Sequence, residues 1–178
     1  METKGILLID DDELITMSLE MIIQADGEFQ VLGKGQSGRE AIRLYDELQP
    51  DLLLMDIRME DMNGLEAAEA ILAKHPKAVI LFLTTFSDDE YIVKALKLGV
   101  KGYLLKQDYK SLPAALHAAM DGQSVFGGAV VNKLPTLMQE GGEPAQFDYA
   151  SYEISEKEYE VMQLVAEGFS NREIAQKL

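Results

Sequence analysis

Five short apolar runs, each followed by a stretch with helical spacing, occupy the first 120 residues of this 178-residue chain. The runs are Gly5-Ile6-Leu7-Leu8-Ile9, Phe29-Gln30-Val31-Leu32-Gly33, Leu52-Leu53-Leu54-Met55, residues 78–83 and Gly102-Tyr103-Leu104-Leu105. The first helical stretch runs through Leu14, Met17, Met21 and Ile22; the others cover 37–48, 64–74, 88–98 and 111–120. Runs of this length separated by helices imply βα units and a parallel sheet. The runs are continuous rather than alternating in polarity, so helices cover both faces of the sheet. Five such units make a small doubly wound α/β domain. Helix-end signals agree. Ser37 with Glu40 forms a capping-box pattern, Ser87-Asp88-Asp89-Glu90 puts acids where a helix dipole favours them, and Gly99 and Gly122 stand where left-handed C-caps belong.

The composition changes after residue 131. Gln139-Glu140-Gly141-Gly142-Glu143-Pro144-Ala145-Gln146 reads as a linker. A new helix opens at Ile154-Ser155-Glu156-Lys157-Glu158-Tyr159, with Ser155 and Glu158 as a second capping box and Val161, Leu164 and Val165 as its apolar face. Gly168-Phe169-Ser170-Asn171 predicts a turn, and residues 172–178 a further helix with Ile174, Ala175 and Leu178 inward. The predicted organisation is a first domain over 1–122, a linker over 123–153 with room for a short helix, and a helical segment over 154–178.

The net charge of −15 argues against bulk attraction to nucleic acid or an anionic membrane. The absence of cysteine excludes a disulfide framework and a thiolate metal site. The five-residue apolar run after Met1-Glu2-Thr3-Lys4 is too short for a signal peptide or a membrane span, which predicts a cytoplasmic protein with no membrane partner.

The chemistry lies at the ends of the runs. The first ends in Asp10-Asp11-Asp12, the third in Asp56, the fourth in Thr84-Thr85 and the fifth in Lys106. A parallel sheet gathers the carboxyl ends of its strands along one edge, where ligands bind beside the reversal of strand order. Carboxylates sharing such a pocket disfavour one another's ionisation and call for a counter-charge. Mg²⁺, or Mn²⁺, with its preference for oxygen ligands, meets that need. Asp56 is then a candidate nucleophile of the aspartyl-phosphate kind, with Lys106 and Thr84 supplying a charge and a donor to phosphoryl oxygens. Taken singly, each residue has a plainer reading. A strand-end Asp is often a turn or cap residue, Lys106 a surface charge, Thr84-Thr85 strand-end packing, and Asp12 and Glu13 first-turn acids. The ordered combination carries the functional reading.

Residues 6–12, Asp56-Ile57-Arg58-Met59 with Asn63-Gly64, Leu83-Thr84-Thr85 and Gly102-Tyr103-Leu104-Leu105-Lys106 resemble the receiver domain of two-component response regulators, over residues 4 to about 122. The resemblance implies a flavodoxin-like (βα)5 sheet of order 2-1-3-4-5. It implies Asp56 as phosphoacceptor, Asp11 as direct Mg²⁺ ligand and Asp10 as ligand through water. The Arg58 backbone carbonyl is implied as a further metal ligand, Thr84 and Lys106 as phosphoryl contacts, and Tyr103 as an aromatic switch that turns inward as Thr84 moves. Two positions depart from the family pattern: Glu60 and Gln107 stand where proline is usual. The Lys106–Gln107 bond is therefore either trans, or cis at about 2.5–4 kcal/mol.

Residues 154–161 and 168–175, with Glu-Gly-Phe-Ser-Asn-Arg-Glu-Ile-Ala at the turn, resemble the start of a LuxR-type helix-turn-helix, which identifies the chain as a member of the NarL/FixJ group. A complete domain of that type adds two helices, including the recognition helix, which is absent from these residues. Residues 155–178 hold five acids and three bases, so no sequence-specific DNA binding is expected of them alone. The implied partners are a sensor histidine kinase as phosphodonor, promoter DNA for the complete protein, and a second copy of the chain on phosphorylation. Its only catalysis would be its own phosphorylation and dephosphorylation, so it is not expected to be an enzyme. The alternatives are a receiver acting only through protein contacts and a small phosphatase with an Asp nucleophile. The second is disfavoured by Arg58, where such enzymes place a general acid.

Overall fold

In the computed structural model, which describes residues 2–85, 87–140, 155–166 and 170–177, the five apolar runs become five parallel strands. They are β1 (Lys4–Ile9), β2 (Phe29–Gly35), β3 (Leu52–Met55), β4 (Ile80–Thr84) and β5 (Gly102–Leu105). Between them run α1 (Glu13–Ala25), α2 (Gly38–Leu48), α3 (Gly64–Lys74) and α4 (Asp89–Leu98), and a 3-10 turn (Lys106–Ser111) leads into α5 (Leu112–Met120). The strand order is β2-β1-β3-β4-β5, extended by a two-residue strand β6 (Val125–Phe126). The expected flavodoxin-like architecture is present, with this sixth strand added. The order reverses at β1, so the tips of β1 and β3 flank the crevice where such folds bind ligands.

The sheet is buried on both sides because its side chains alternate between two apolar layers. Ile6, Leu8, Leu54, Leu81 and Leu83 pack with Leu19 and Ile23 of α1 and Leu112 and Leu116 of α5. Leu7, Ile9, Leu53, Met55 and Phe82 pack with Ala41, Ile71, Ile92 and Ala95 from α2, α3 and α4. Each large aliphatic side chain buried this way contributes about 1.5–3 kcal/mol. At the edge of the sheet, β2 alternates between buried or half-buried and exposed residues.

Helix ends follow the sequence signals, with instructive exceptions. Ser37 caps α2 by accepting from the Glu40 amide, and Gly99 and Gly122 take positive φ (76° and 83°). Asn63 and Glu66 form a complete capping box on α3. Asp12 caps α1, accepting from the Leu14 and Ile15 amides, so its carboxylate is structural. Of the positions that signal the helix, Leu14, Met17 and Met21 point outward, Leu14 75% and Met21 73% exposed, while Ile22 is half-buried against the core. The core side of α1 is formed instead by Leu19 and Ile23, with Thr16.

The first compact unit continues past residue 122, to Leu137. The stretch 123–137, read from sequence as linker, adds β6, the short helix α6 (Gly128–Val131) and the start of α7 (Leu134–Glu140). Val130 and Leu137 are buried in the same layer as Ile92 and Ala95 of α4. β6 covers the flank of β5 that would otherwise be an open edge.

The second unit, described by itself, contains α8 (Glu156–Ala166) and α9 (Asn171–Lys177). Ser155 and Glu158 form the expected capping box, and Ser170 and Glu173 form another. Ile174 is buried as expected, whereas Val165 and Ala175 are exposed. Residues 141–154, the turn at 167–169 and Leu178 lie outside the described residues.

Candidate functional site

The carboxyl edge of the sheet brings together most of the residues singled out by sequence. Asp10 directly follows β1 and donates its amide to the Gly35 carbonyl at 3.0 Å; Asp56 directly follows β3 and donates its amide to the Ile9 carbonyl at 2.9 Å. The first bond ties the tip of β1 to β2 and the second ties β3 to β1, so both carboxylates are held at fixed positions on the sheet edge. Asp10 and Asp56 are buried (2% and 6% exposed), while Asp11 is exposed. Carboxylate oxygens of all three lie within 4.8 Å of one another. Lys106, at the end of β5, reaches across β4 to place its Nζ 2.6 Å from Asp10 Oδ2 and 3.0 Å from Asp56 Oδ2. The second Asp56 oxygen accepts from the Ile57 amide at 2.7 Å, and the second Asp10 oxygen from the Asp12 amide at 2.9 Å.

The formal charges at this edge are three negative and one positive. The remaining two negative charges match one divalent cation, and carboxylate oxygens are the ligands that Mg²⁺ and Mn²⁺ prefer. Burial pushes the Asp10 carboxyl above its usual range, against the opposing hydrogen bond from Lys106. Burial works to lower the Lys106 ammonium, but its hydrogen bonds and attraction to Asp10 and Asp56 outweigh that and hold it above its ordinary value. The ammonium is thus the positive charge set directly between two buried carboxylates.

Thr84 closes β4 between these elements and is fully buried. Its Oγ1 has no hydrogen-bond partner among the described residues. A buried hydroxyl left unpaired costs about 1–3 kcal/mol, and structures that retain one usually use it. Thr84→Val is therefore expected to stabilise the unmodified chain by about 1 kcal/mol in urea denaturation. Lower stability in the variant would show that the hydroxyl already has a partner.

The structure places the remaining candidates as follows. The Tyr103 ring is buried within β5 and packs edge-on against Phe82, centroids 6.3 Å apart, so it already has the inward position; burial raises its phenol pKa. The Arg58 side chain leaves the site. Its Nη2 lies 2.6 Å from Asp88 Oδ2, its Nε donates to the Tyr91 hydroxyl at 3.2 Å, and its guanidinium sits 5.4 Å from the Tyr91 ring centroid. Asp88 is the N-cap residue of α4, yet it makes no capping hydrogen bond, because its carboxylate is committed to Arg58. There is no cis peptide bond among the described residues, so Lys106–Gln107 is trans.

Two features escaped the sequence reading. Gly64 opens α3 so close to the backbone after β3 that a Cβ there would overlap the Asp56 carbonyl oxygen and lie 3.0 Å from the Ile57 Cα. The Gly64 amide also donates to the Ile57 carbonyl at 2.7 Å. The second is His117 of α5, whose Nε2 lies 3.0 Å from Asp26 Oδ1 and whose Nδ1 lies 3.6 Å from Glu28 Oε2. The ring nitrogens face different acids, so the side chain bridges α5 and the α1–β2 turn.

Comparison with known proteins agrees with both parts of the chain. Residues 6–117 match the family described as response regulator receiver domain, and residues 153–178 match bacterial regulatory proteins, luxR family. The chain is 36% identical over 174 residues to the response regulator protein VraR of Staphylococcus aureus, an alignment covering 97% of this chain and 80% of VraR. Among solved structures, it is similar to a LuxR-family two-component response regulator from Aurantimonas sp. SI85-9A1, with TM-score 0.74 and 26% identity over 78% of this chain and 100% of that one. The response regulator ChrA of a heme-sensing two-component system matches 99% of this chain and 82% of its own, with TM-score 0.63 and 28% identity.

Proposed function

Since the chain belongs to the response regulator receiver family and carries a luxR-type segment, we propose that it is switched by phosphorylation of Asp56 and passes the signal to DNA through its C-terminal helices. The observation that carries this reading is the pairing of Lys106 with two buried carboxylates beside a third, an edge two charges short of neutrality. Asp10, Asp11, Asp56 and the Arg58 backbone carbonyl would hold the cation, Mg²⁺ or Mn²⁺. When bound, the ion supplies positive charge that lets a carboxylate and a phosphoryl dianion approach.

The chain's own groups do the rest. A carboxylate oxygen of Asp56 attacks phosphorus in line with the leaving group. With a phosphohistidine of a sensor kinase as donor, the P–N bond breaks as the P–O bond forms, and the imidazole leaves with the electron pair and takes up a proton. The Ile57 amide holds the Asp56 carboxylate in orientation for the attack. The Lys106 ammonium exchanges its bonds to Asp10 and Asp56 for one to the transferred phosphoryl group, and the unpartnered Thr84 hydroxyl donates the other. Water attacking the same phosphorus restores the carboxylate and releases phosphate, so the chemistry is self-modification rather than turnover.

A turnover phosphatase needs a general acid near the nucleophile, and the residue two positions on, Arg58, is engaged with Asp88 and Tyr91 instead. The second unit, with net charge −2 over 155–178, has no basic footprint of its own. DNA reading in this proposal requires a recognition helix beyond α9 and two copies of the chain. Incubation with acetyl phosphate and Mg²⁺ is expected to add one phosphoryl mass to the wild type and none to Asp56→Ala. Equal gain by both would overturn the assignment.

A further inference from the structure

The β4–α4 loop is held on two sides by cations from different parts of the fold. From the β3 side, Arg58 binds Asp88. From the opposite side, Lys133, between α6 and α7, donates to the Ser87 carbonyl at 2.6 Å and lies 2.8 Å from Asp89 Oδ1. Lys133 belongs to the stretch that follows β6, the last strand of the sheet, and flanking residues Val130 and Leu137 are buried in the layer that holds Ile92 and Ala95 of α4. The start of α4 lacks the capping bond that Asp88 would normally give, and these two contacts are its side-chain polar tethers among the described residues.

We propose that residues 128–137 form a latch, docked by Val130 and Leu137 and locked by Lys133 onto Ser87 and Asp89, that opens when Asp56 is phosphorylated. The inference rests on the reading of Asp56 as phosphoacceptor. Its direction follows from the sheet order β3-β4-β5-β6. The Thr84 hydroxyl is buried without a partner, and a phosphoryl group on Asp56 offers it one on the β3 side. Moving toward that acceptor carries Thr84 away from β6. Ser87, three residues on, is drawn away from Lys133, while Arg58 holds Asp88 on the side to which the loop moves. The lock breaks, and α6 and α7, the elements that lead into the second unit, lose their polar tether. The receiving end of the switch is thus a lysine outside the region that carries the phosphorylation motifs.

The test is amide hydrogen exchange, read by mass spectrometry on peptides covering 126–137 of the whole chain, with and without acetyl phosphate and Mg²⁺. In Lys133→Met, which keeps the aliphatic stem and removes the donors, exchange is expected to be roughly fivefold faster without phosphorylation, a size set by one charge-assisted bond to a half-buried carbonyl plus an exposed ion pair. Asp89→Asn should give a smaller increase. Phosphorylated wild type should match unmodified Lys133→Met, and phosphorylation should change that variant little. Unchanged exchange in unmodified Lys133→Met overturns the lock. A verified phosphoryl mass with unchanged exchange in the wild type overturns the switch and leaves the Asp56 reading intact. No mass gain in either protein overturns both.

Discussion

Lys106→Ala is expected to destabilise the metal-free chain by about 3 kcal/mol, roughly 10 °C in melting temperature, and Mg²⁺ is expected to restore much of the loss. Lys106 is the one cation within reach of Asp10 and Asp56 in the described site, at 2.6 and 3.0 Å. Its removal leaves two buried carboxylates facing each other, and removing one partner of a buried pair commonly costs more than the pair contributed. A divalent cation bound by the same carboxylates supplies the missing charge, so added Mg²⁺ should raise the melting temperature of the variant more than that of the wild type. An equal rise in both would separate Lys106 from the metal site. The pH dependence has a definite sign. The Lys106 ammonium is held above its ordinary value in the fold. Its contribution is therefore complete below the unfolded value of about 10.4 and is lost as pH rises through the folded value. The variant should lack that alkaline component.

Gly64→Ala is the second large expected effect. The new Cβ would meet the backbone of Asp56 and Ile57 rather than the end of a flexible side chain, so either the start of α3 or the loop that carries Asp56 must shift. Overpacking of this kind costs about 3 kcal/mol where the backbone cannot yield. It should also slow phosphorylation, because the displaced atoms include the Asp56 carbonyl and the segment that presents its carboxylate. A variant with wild-type stability and wild-type phosphorylation rate would show that the close approach of α3 has no role in positioning Asp56. The contrast with Gly99 and Gly122 is useful: a Cβ at those positions meets nothing, and only the positive φ disfavours it.

Much of the fold was readable because continuous apolar runs and helix caps are local signals. The short continuous runs Ile6–Ile9 and Leu52–Met55, each followed by a helical stretch, read as strands buried on both faces, and parallel topology then put Asp10, Asp56, Thr84 and Lys106 on one edge. What escaped reading is set by pairings that leave no local trace. The apolar residues of α1 lie on both its faces, so Leu14, Met17 and Met21 signal a helix without telling which face is outward. β6 has two residues, too few for any periodicity, and its place in the sheet depends on the open flank of β5. Arg58 was noted for its backbone, whereas its side chain contacts Asp88 and Tyr91, about thirty residues away. Gly64 stood in a motif, but the reason only glycine fits lies in the Asp56 backbone across the loop.

Borohydride trapping of the phosphorylated chain tests the central claim most directly, because it reduces an acyl phosphate to an alcohol at the residue that carried it. After incubation with acetyl phosphate and Mg²⁺, peptide mapping should find homoserine at position 56, dependent on the metal and absent from Asp56→Ala. Homoserine at Asp10, Asp11 or another carboxylate of the wild-type chain, or none anywhere despite a verified gain in phosphoryl mass, would contradict the account.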